Sequence, residues 1–124
     1  MKRQYSGTLG KIGNCQITVS MHAVGERGTL PLGWRLYLPR EWCDDLERRR
    51  KAKIPEGVCF QTKPELAAGL CEQAAGWELP TAPILADCAY GEDSGFRTTL
   101  HAQELEYVLA VSAQISVVDR KSVV

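Results

Sequence analysis

The chain has 124 residues, 44% hydrophobic and 24% charged, a balance that excludes a disordered polymer and fits one globular domain with a real core. Its 15 basic and 15 acidic residues cancel, so bulk charge does not draw it to nucleic acid, and such binding needs a local patch. Cys15, Cys43, Cys59, Cys71 and Cys88 are odd in number, have no C-x-x-C spacing and are joined only by His22 and His101, which argues for mostly buried free thiols rather than a disulfide framework or a zinc site.

The opening "MKRQYSG" has no apolar segment behind its basic residues, and no run approaches a membrane span, so a cytoplasmic protein with no membrane partner is expected. "SGTLGKIGN" follows with Gly7, Gly10 and Gly13, where the backbone needs unusual torsions or a close approach. Within it, Lys11 is placed either to meet a phosphate with help from glycine amides or simply to follow a tight turn. Residues 14 to 24 alternate Cys15, Ile17, Val19 and Met21 with polar residues, the period of a strand with one buried face. The turn signal "GERGTLPLG" leads to "WRLYLP", a second strand of a hairpin with Trp34, Leu36 and Leu38 on one face and Pro39 as its stop. His22 ends the polar face of the first strand and reads as exposed.

Residues 40 to 58 are charged, and Asp44/Arg48, Asp45/Arg49 and Glu47/Lys51 stand four apart with the acid first, the favourable order on one short exposed helix ending by Ile54. Arg48, Arg49, Arg50, Lys51 and Lys53 crowd its end. They read either as a phosphate-binding patch with salt-sensitive affinity or as a solvated face balanced by Asp44, Asp45 and Glu47. Next, Thr62 and Glu65 have capping-box spacing, and Leu66, Leu70, Ala74 and Trp77 form an apolar stripe. Trp34, Trp42 and Trp77 are read as core rather than as stacking platforms for bases. A buried strand over 82 to 87, a helix over 93 to 103 capped by Ser94 with Phe96 and Leu100 inward, and a buried strand over 107 to 112 complete the order β-β-α-α-β-α-β. An α/β fold is expected, with an antiparallel hairpin and parallel strands in a mixed sheet flanked by helices. No repeat or linker marks a boundary, so residues 1 to 124 are read as one domain.

In "PILADCAYGEDSGFR" the apolar run stops on Asp87. Ligand sites of open α/β sheets collect at the carboxyl ends of strands, where an aspartate binds a divalent metal, accepts a phosphoryl group, or only caps the turn that follows. Cys88, next to it, has no sequence neighbour to activate it and reads as a buried thiol.

Three stretches, "RQYSGTLGKIGNCQITVSMH", "LYLPREWCDDLERRRKAKIPEGVCFQTK" and "PILADCAYGEDSGFR", together resemble the catalytic region of bacterial insertion-sequence transposases of the Asp-Asp-Glu (DDE) endonuclease superfamily, over residues 3 to about 112. The resemblance implies a partial ribonuclease-H-like fold, DNA as substrate, and three carboxylates holding two Mg²⁺ ions, since hard divalent ions take oxygen ligands and a metal pair stabilises both attacking and leaving oxygens. Asp87 matches the family's second carboxylate, as a metal ligand and catalytic residue. The first Asp lies just upstream of "RQYSG" in the family and the final Glu well beyond Val124, while Glu92, Asp93, Glu104 and Asp119 match neither by motif. The resemblance therefore implies a fragment truncated at both ends and inactive alone. The alternative is a non-catalytic remnant that binds DNA, associates with itself, or pairs with an intact transposase. A phosphoacceptor domain ranks last, because "MKRQYSGTLGKIGNCQ" has no acid.

Overall fold

The structure, a computed structural model, describes residues 2–117 and divides into two compact units, Met1–Leu79 and Pro80–Val124. In the first, β1 (Lys2–Ser6) and β2 (Lys11–Cys15) form one antiparallel hairpin, and β3 (Ile17–Gly25) and β4 (Gly28–Tyr37) form another. The first hairpin occupies the glycine-rich stretch. Gly10 closes its turn in the left-handed region, φ +64°, a conformation glycine adopts without penalty.

In β3 the burial alternates from Ile17 to Met21 as the sequence predicts, with Val19 only 5% exposed, and residues 22–25 are all exposed. The face of β4 is the opposite of the expected one: Trp34 and Leu36 are 53% and 49% exposed. Cross-strand partners share a face, and Val19 pairs with Arg35, Ile17 with Tyr37 and Met21 with Gly33. The inner set of β4 is therefore Gly33, Arg35 and Tyr37. Between Met21 and His22 the register shifts and Leu32 is left unpaired opposite them, a bulge beside Pro31, which has no amide to donate.

The inner choice of Gly33 follows from what packs on it. Helix α3 (Lys63–Ala75) crosses both strands, and a Cβ on Gly33 would stand 3.1 Å from Leu70 Cδ2. Leu66, Leu70 and Cys71 form the buried side of the helix, and Arg35 reaches over to Gln73 Oε1 at 2.6 Å. The capping box is formed: Thr62 Oγ1 accepts from the Glu65 amide, and Glu65 Oε2 accepts from the Thr62 amide, both at 3.3 Å. Trp77 lies beyond the helix end and is 39% exposed, so it is not core.

The charged segment forms two helices, not one. Asp45 has extended torsions and ends α1 (Arg40–Asp44); its side chain accepts from the Arg48 amide at 3.0 Å and so starts α2 (Leu46–Lys51). A short aspartate competes with the helix backbone for that amide and thereby breaks the run. The expected pairs four apart are replaced by Asp45–Arg48, at 3.4 Å and three apart.

In the second unit β5 (Ile84–Ala86) and β6 (Tyr107–Leu109) pair in parallel. A one-turn helix α4 (Cys88–Gly91), absent from the predicted elements, packs on both strands, and α5 (Ser94–Ala102) packs on α4. The cap of α5 is Asp93, one residue before the predicted Ser94; its Oδ1 accepts from the Phe96 amide at 2.6 Å. Phe96 and Leu100 are 3% and 0% exposed. The strands are half-buried rather than fully buried, for Leu85 and Val108, directly paired, are 71% and 66% exposed. Among the described residues the strands form three separate two-stranded sheets, two antiparallel and one parallel, in place of the expected single mixed sheet, and no helix is long and apolar enough to cross a membrane.

Leu100 anchors the core of the second unit. Leu100→Ala is expected to cost about 2–5 kcal/mol, read by chemical denaturation followed at Tyr90, which packs on Phe96 at 5.8 Å. A loss under about 1 kcal/mol would show that this core does not hold the unit.

Candidate functional site

β5 runs out at Ala86, and Asp87 is exposed immediately after it. Its Oδ1 accepts from the Ala89 amide at 3.0 Å and caps α4. The capping role is thus present in the structure. Oδ2 has no hydrogen-bond partner among the described residues, which leaves one oxygen of an ionised carboxylate for another ligand.

The surroundings of Asp87 are held tightly. Gly91 ends α4 against β6, and a Cβ there would overlap the Ala110 carbonyl, so this position admits no side chain without a backbone shift. Arg97 donates to the Gly91 carbonyl from α5. Glu92 Oε1 accepts from the Ser112 amide at 2.9 Å and ties the segment after β6 to the end of α4. Tyr90 is half-buried, and burial, with the Asp87 charge nearby, pushes its phenol pKa up.

A metal pair needs more than this. Among the described residues no group of three or more His, Cys, Asp or Glu side chains is arranged to hold a metal ion, and Asp87 alone offers one ligand. The residues present here do not make up a two-metal site. Of the other acids, Glu92 is committed to Ser112 and Asp93 to Phe96; Glu104 turns the chain after α5 with φ +56°; Asp119 lies outside the described residues.

The basic candidates belong to the first unit and differ in what they already bind. Arg49 is turned inward: its guanidinium donates to the Cys43 carbonyl at 3.3 Å, to Pro55 at 3.0 Å and to Val58 at 2.6 Å, which fixes the loop after α2. Arg48 stands over the Trp42 ring at 5.4 Å and pairs with Asp45. Arg50, Lys51 and Lys53 are exposed, with no carboxylate in ion-pair distance among the described residues. Lys11 is exposed too, but the amide of Gly10 already donates to the Ser6 carbonyl at 2.8 Å and that of Leu9 to the Ser6 hydroxyl at 3.3 Å.

Three aromatic contacts have no signature in the local sequence. Arg40 lies over the Phe60 ring at 4.4 Å, Phe60 and Tyr37 meet edge to face at 6.3 Å, and Lys63 lies over Tyr37 at 5.1 Å. The partners come from opposite ends of the segment that joins β4 to α3, beyond the reach of any periodic pattern. Each cation–π contact contributes about 0.5–1 kcal/mol at an exposed site. Arg40 and Lys63 also head helices, where a cation opposes the dipole by about 0.3–1 kcal/mol, so the gain in stability is largely offset.

The thiols correct the expectation of burial. Only Cys71 is buried, and burial pushes its pKa up to about 11; Cys59 and Cys88 are exposed. Cys88 is the first residue of α4.

The Glu92–Ser112 hydrogen bond holds the Glu92 carboxyl below the usual range. A carboxyl whose folded pKa is depressed contributes stability above its unfolded value, near 4.5, and loses that contribution as pH falls through the folded value. Glu92→Gln is expected to flatten the loss of stability on acidification below about pH 4.5, measured by denaturation across that range. An unchanged acid profile would separate Glu92 from it.

The profile of the family described as DDE superfamily endonuclease matches residues 1–123. Over 112 residues the chain is 33% identical to the probable transposase for insertion sequence element IS701 of Microchaete diplosiphon, covering 90% of this chain and 27% of that protein. The chain therefore spans about a quarter of the length of the curated relative it matches. No solved structure matches it. With the family profile covering residues 1–123, nearly the whole chain, the chain belongs to the DDE superfamily endonucleases.

Proposed function

We propose that this chain is part of the catalytic domain of a DNA transposase, with a ribonuclease-H-like arrangement, and that Asp87 is one of the carboxylates that hold its catalytic Mg²⁺ ions. The observation that carries the reading is the exposed carboxylate at the carboxyl end of a parallel strand, with one oxygen spent on capping and the other without a partner among the described residues. Both units serve one domain in this reading. When bound, the metal pair would stabilise the attacking and leaving oxygens of a phosphodiester. The chain's own part is to hold Asp87 at the strand end: the Ala89 amide fixes the carboxylate, and the Gly91–Ala110 contact fixes the helix that bears the amide.

One carboxylate does not retain two ions, so the chain alone is inactive in this reading, and cleavage needs companion acids from outside residues 2–117. In a full-length transposase carrying this segment, Asp87→Ala is expected to lower DNA strand cleavage by at least about 10²-fold, the equivalent of nearly 3 kcal/mol of lost transition-state stabilisation. The isolated chain with Mg²⁺ or Mn²⁺ is expected to leave DNA intact. Full-length activity that survives Asp87→Ala would remove the residue from the site.

DNA is the proposed partner, met in part by Lys11, Arg48, Arg50, Lys51 and Lys53. Neutralising Arg50, Lys51 and Lys53 to Gln is expected to weaken duplex binding equally on unrelated sequences and to reduce the salt slope by about 1 for each phosphate no longer neutralised. A non-catalytic piece that pairs with an intact transposase is the second reading, favoured by the exposed apolar pair Leu85 and Val108.

A further inference from the structure

Besides the basic run of α2, the first unit carries a second positive locus built differently. Arg40, at the start of α1, and Lys63, at the start of α3, each stand over an aromatic ring, and the two rings touch. Contacts of 4.4, 6.3 and 5.1 Å join the four residues in series, so the cations are no more than about 16 Å apart, within about five steps of a duplex at ~3.4 Å each.

Neither cation is neutralised nearby. The ion pairs among the described residues are Lys2–Glu41 and Asp45–Arg48. Glu41, beside Arg40, is paired with Lys2 at 2.5 Å, and Glu65, in the first turn of α3, accepts from the Thr62 amide and makes no ion pair with Lys63 among the described residues. The rings hold the charged heads of two flexible side chains in place, which lowers the ordering cost when an anion binds. We propose that Arg40 and Lys63 form a DNA-backbone contact site, positioned by Phe60 and Tyr37 and separate from the α2 patch.

The rings decide between phosphate and base. Both are half-buried and each has a cation over its face, whereas base stacking needs an open face. The site therefore contacts phosphates and ignores sequence. The assignment rests on the DNA-binding reading above.

The test is fluorescence-detected binding of the full chain to two duplexes of unrelated sequence from about 50 to 200 mM salt. The chains compared are the wild type, Arg40→Gln/Lys63→Gln and Arg40→Lys/Lys63→Arg. The Gln pair is expected to lower the salt slope by about 2 on both duplexes, so that the wild type loses about tenfold more affinity than the variant over that range. The charge-conserving pair is expected to restore the slope, and if the Gln pair fails to fold, the single Gln variants are expected to lower it by about 1 each. A slope unchanged by the substitutions, with the wild type still binding, would overturn this site alone. An effect on only one duplex would overturn backbone contact. A wild type that binds neither duplex takes down the DNA-binding reading and this site with it.

Discussion

The hydrogen bond from the Ala89 amide to Asp87 Oδ1, 3.0 Å, is the constraint from which the arrangement around the strand end follows. It stops β5, starts α4 and presents a charged group to solvent at the carboxyl end of a strand. A free aspartate in a loop would sample many rotamers. Here the cap selects one orientation, and the short helix it begins is wedged against β6 by a residue with no side chain. In the metal-binding reading proposed above, the cap and the chemistry would use the same carboxylate, and a ligand already oriented loses less freedom on binding a cation.

Positive charge in the first unit is sorted by use. Arg49 satisfies three carbonyls and holds a loop; Arg40 and Lys63 rest on aromatic faces; Arg50, Lys51 and Lys53 stay in water. A net charge of zero thus conceals a surface whose cations differ in orientation and availability. Long-range attraction comes from the solvated ones, while the ring-supported ones are better ordered for a fixed contact.

Much of this was legible in local sequence. The capping box at Thr62 and Glu65, the alternation centred on Val19 and the position of Asp87 at a strand end all depend on neighbours within a few residues, and the parallel pairing of the last two strands follows from the strand-helix-strand order. What the sequence hid depends on partners further away. The inward face of β4 is decided by register against β3 and by the approach of Leu70, and a hydrophobic pattern alone chose the wrong side. Asp45 looked like half of an ion pair on a continuous helix, but its affinity for a backbone amide divided that helix. The hairpin of β1 and β2 was obscured by its glycines, and α4 is too short to leave a periodic trace. The aromatic supports of Arg40 and Lys63 emerge only when the chain has folded back on itself.

The bulge at Leu32 and the neighbouring Pro31 have a further effect. A two-stranded ribbon has two open margins, and this one shows Val24, 79% exposed, and Leu30, 63% exposed, toward its tip, a combination that invites copies to stack into aggregates. Pro31 lacks the amide that an incoming strand would require, and the bulge twists the margin out of line. On its β4 margin the tip is thus a poorer template for an incoming strand, although Leu30 there is exposed.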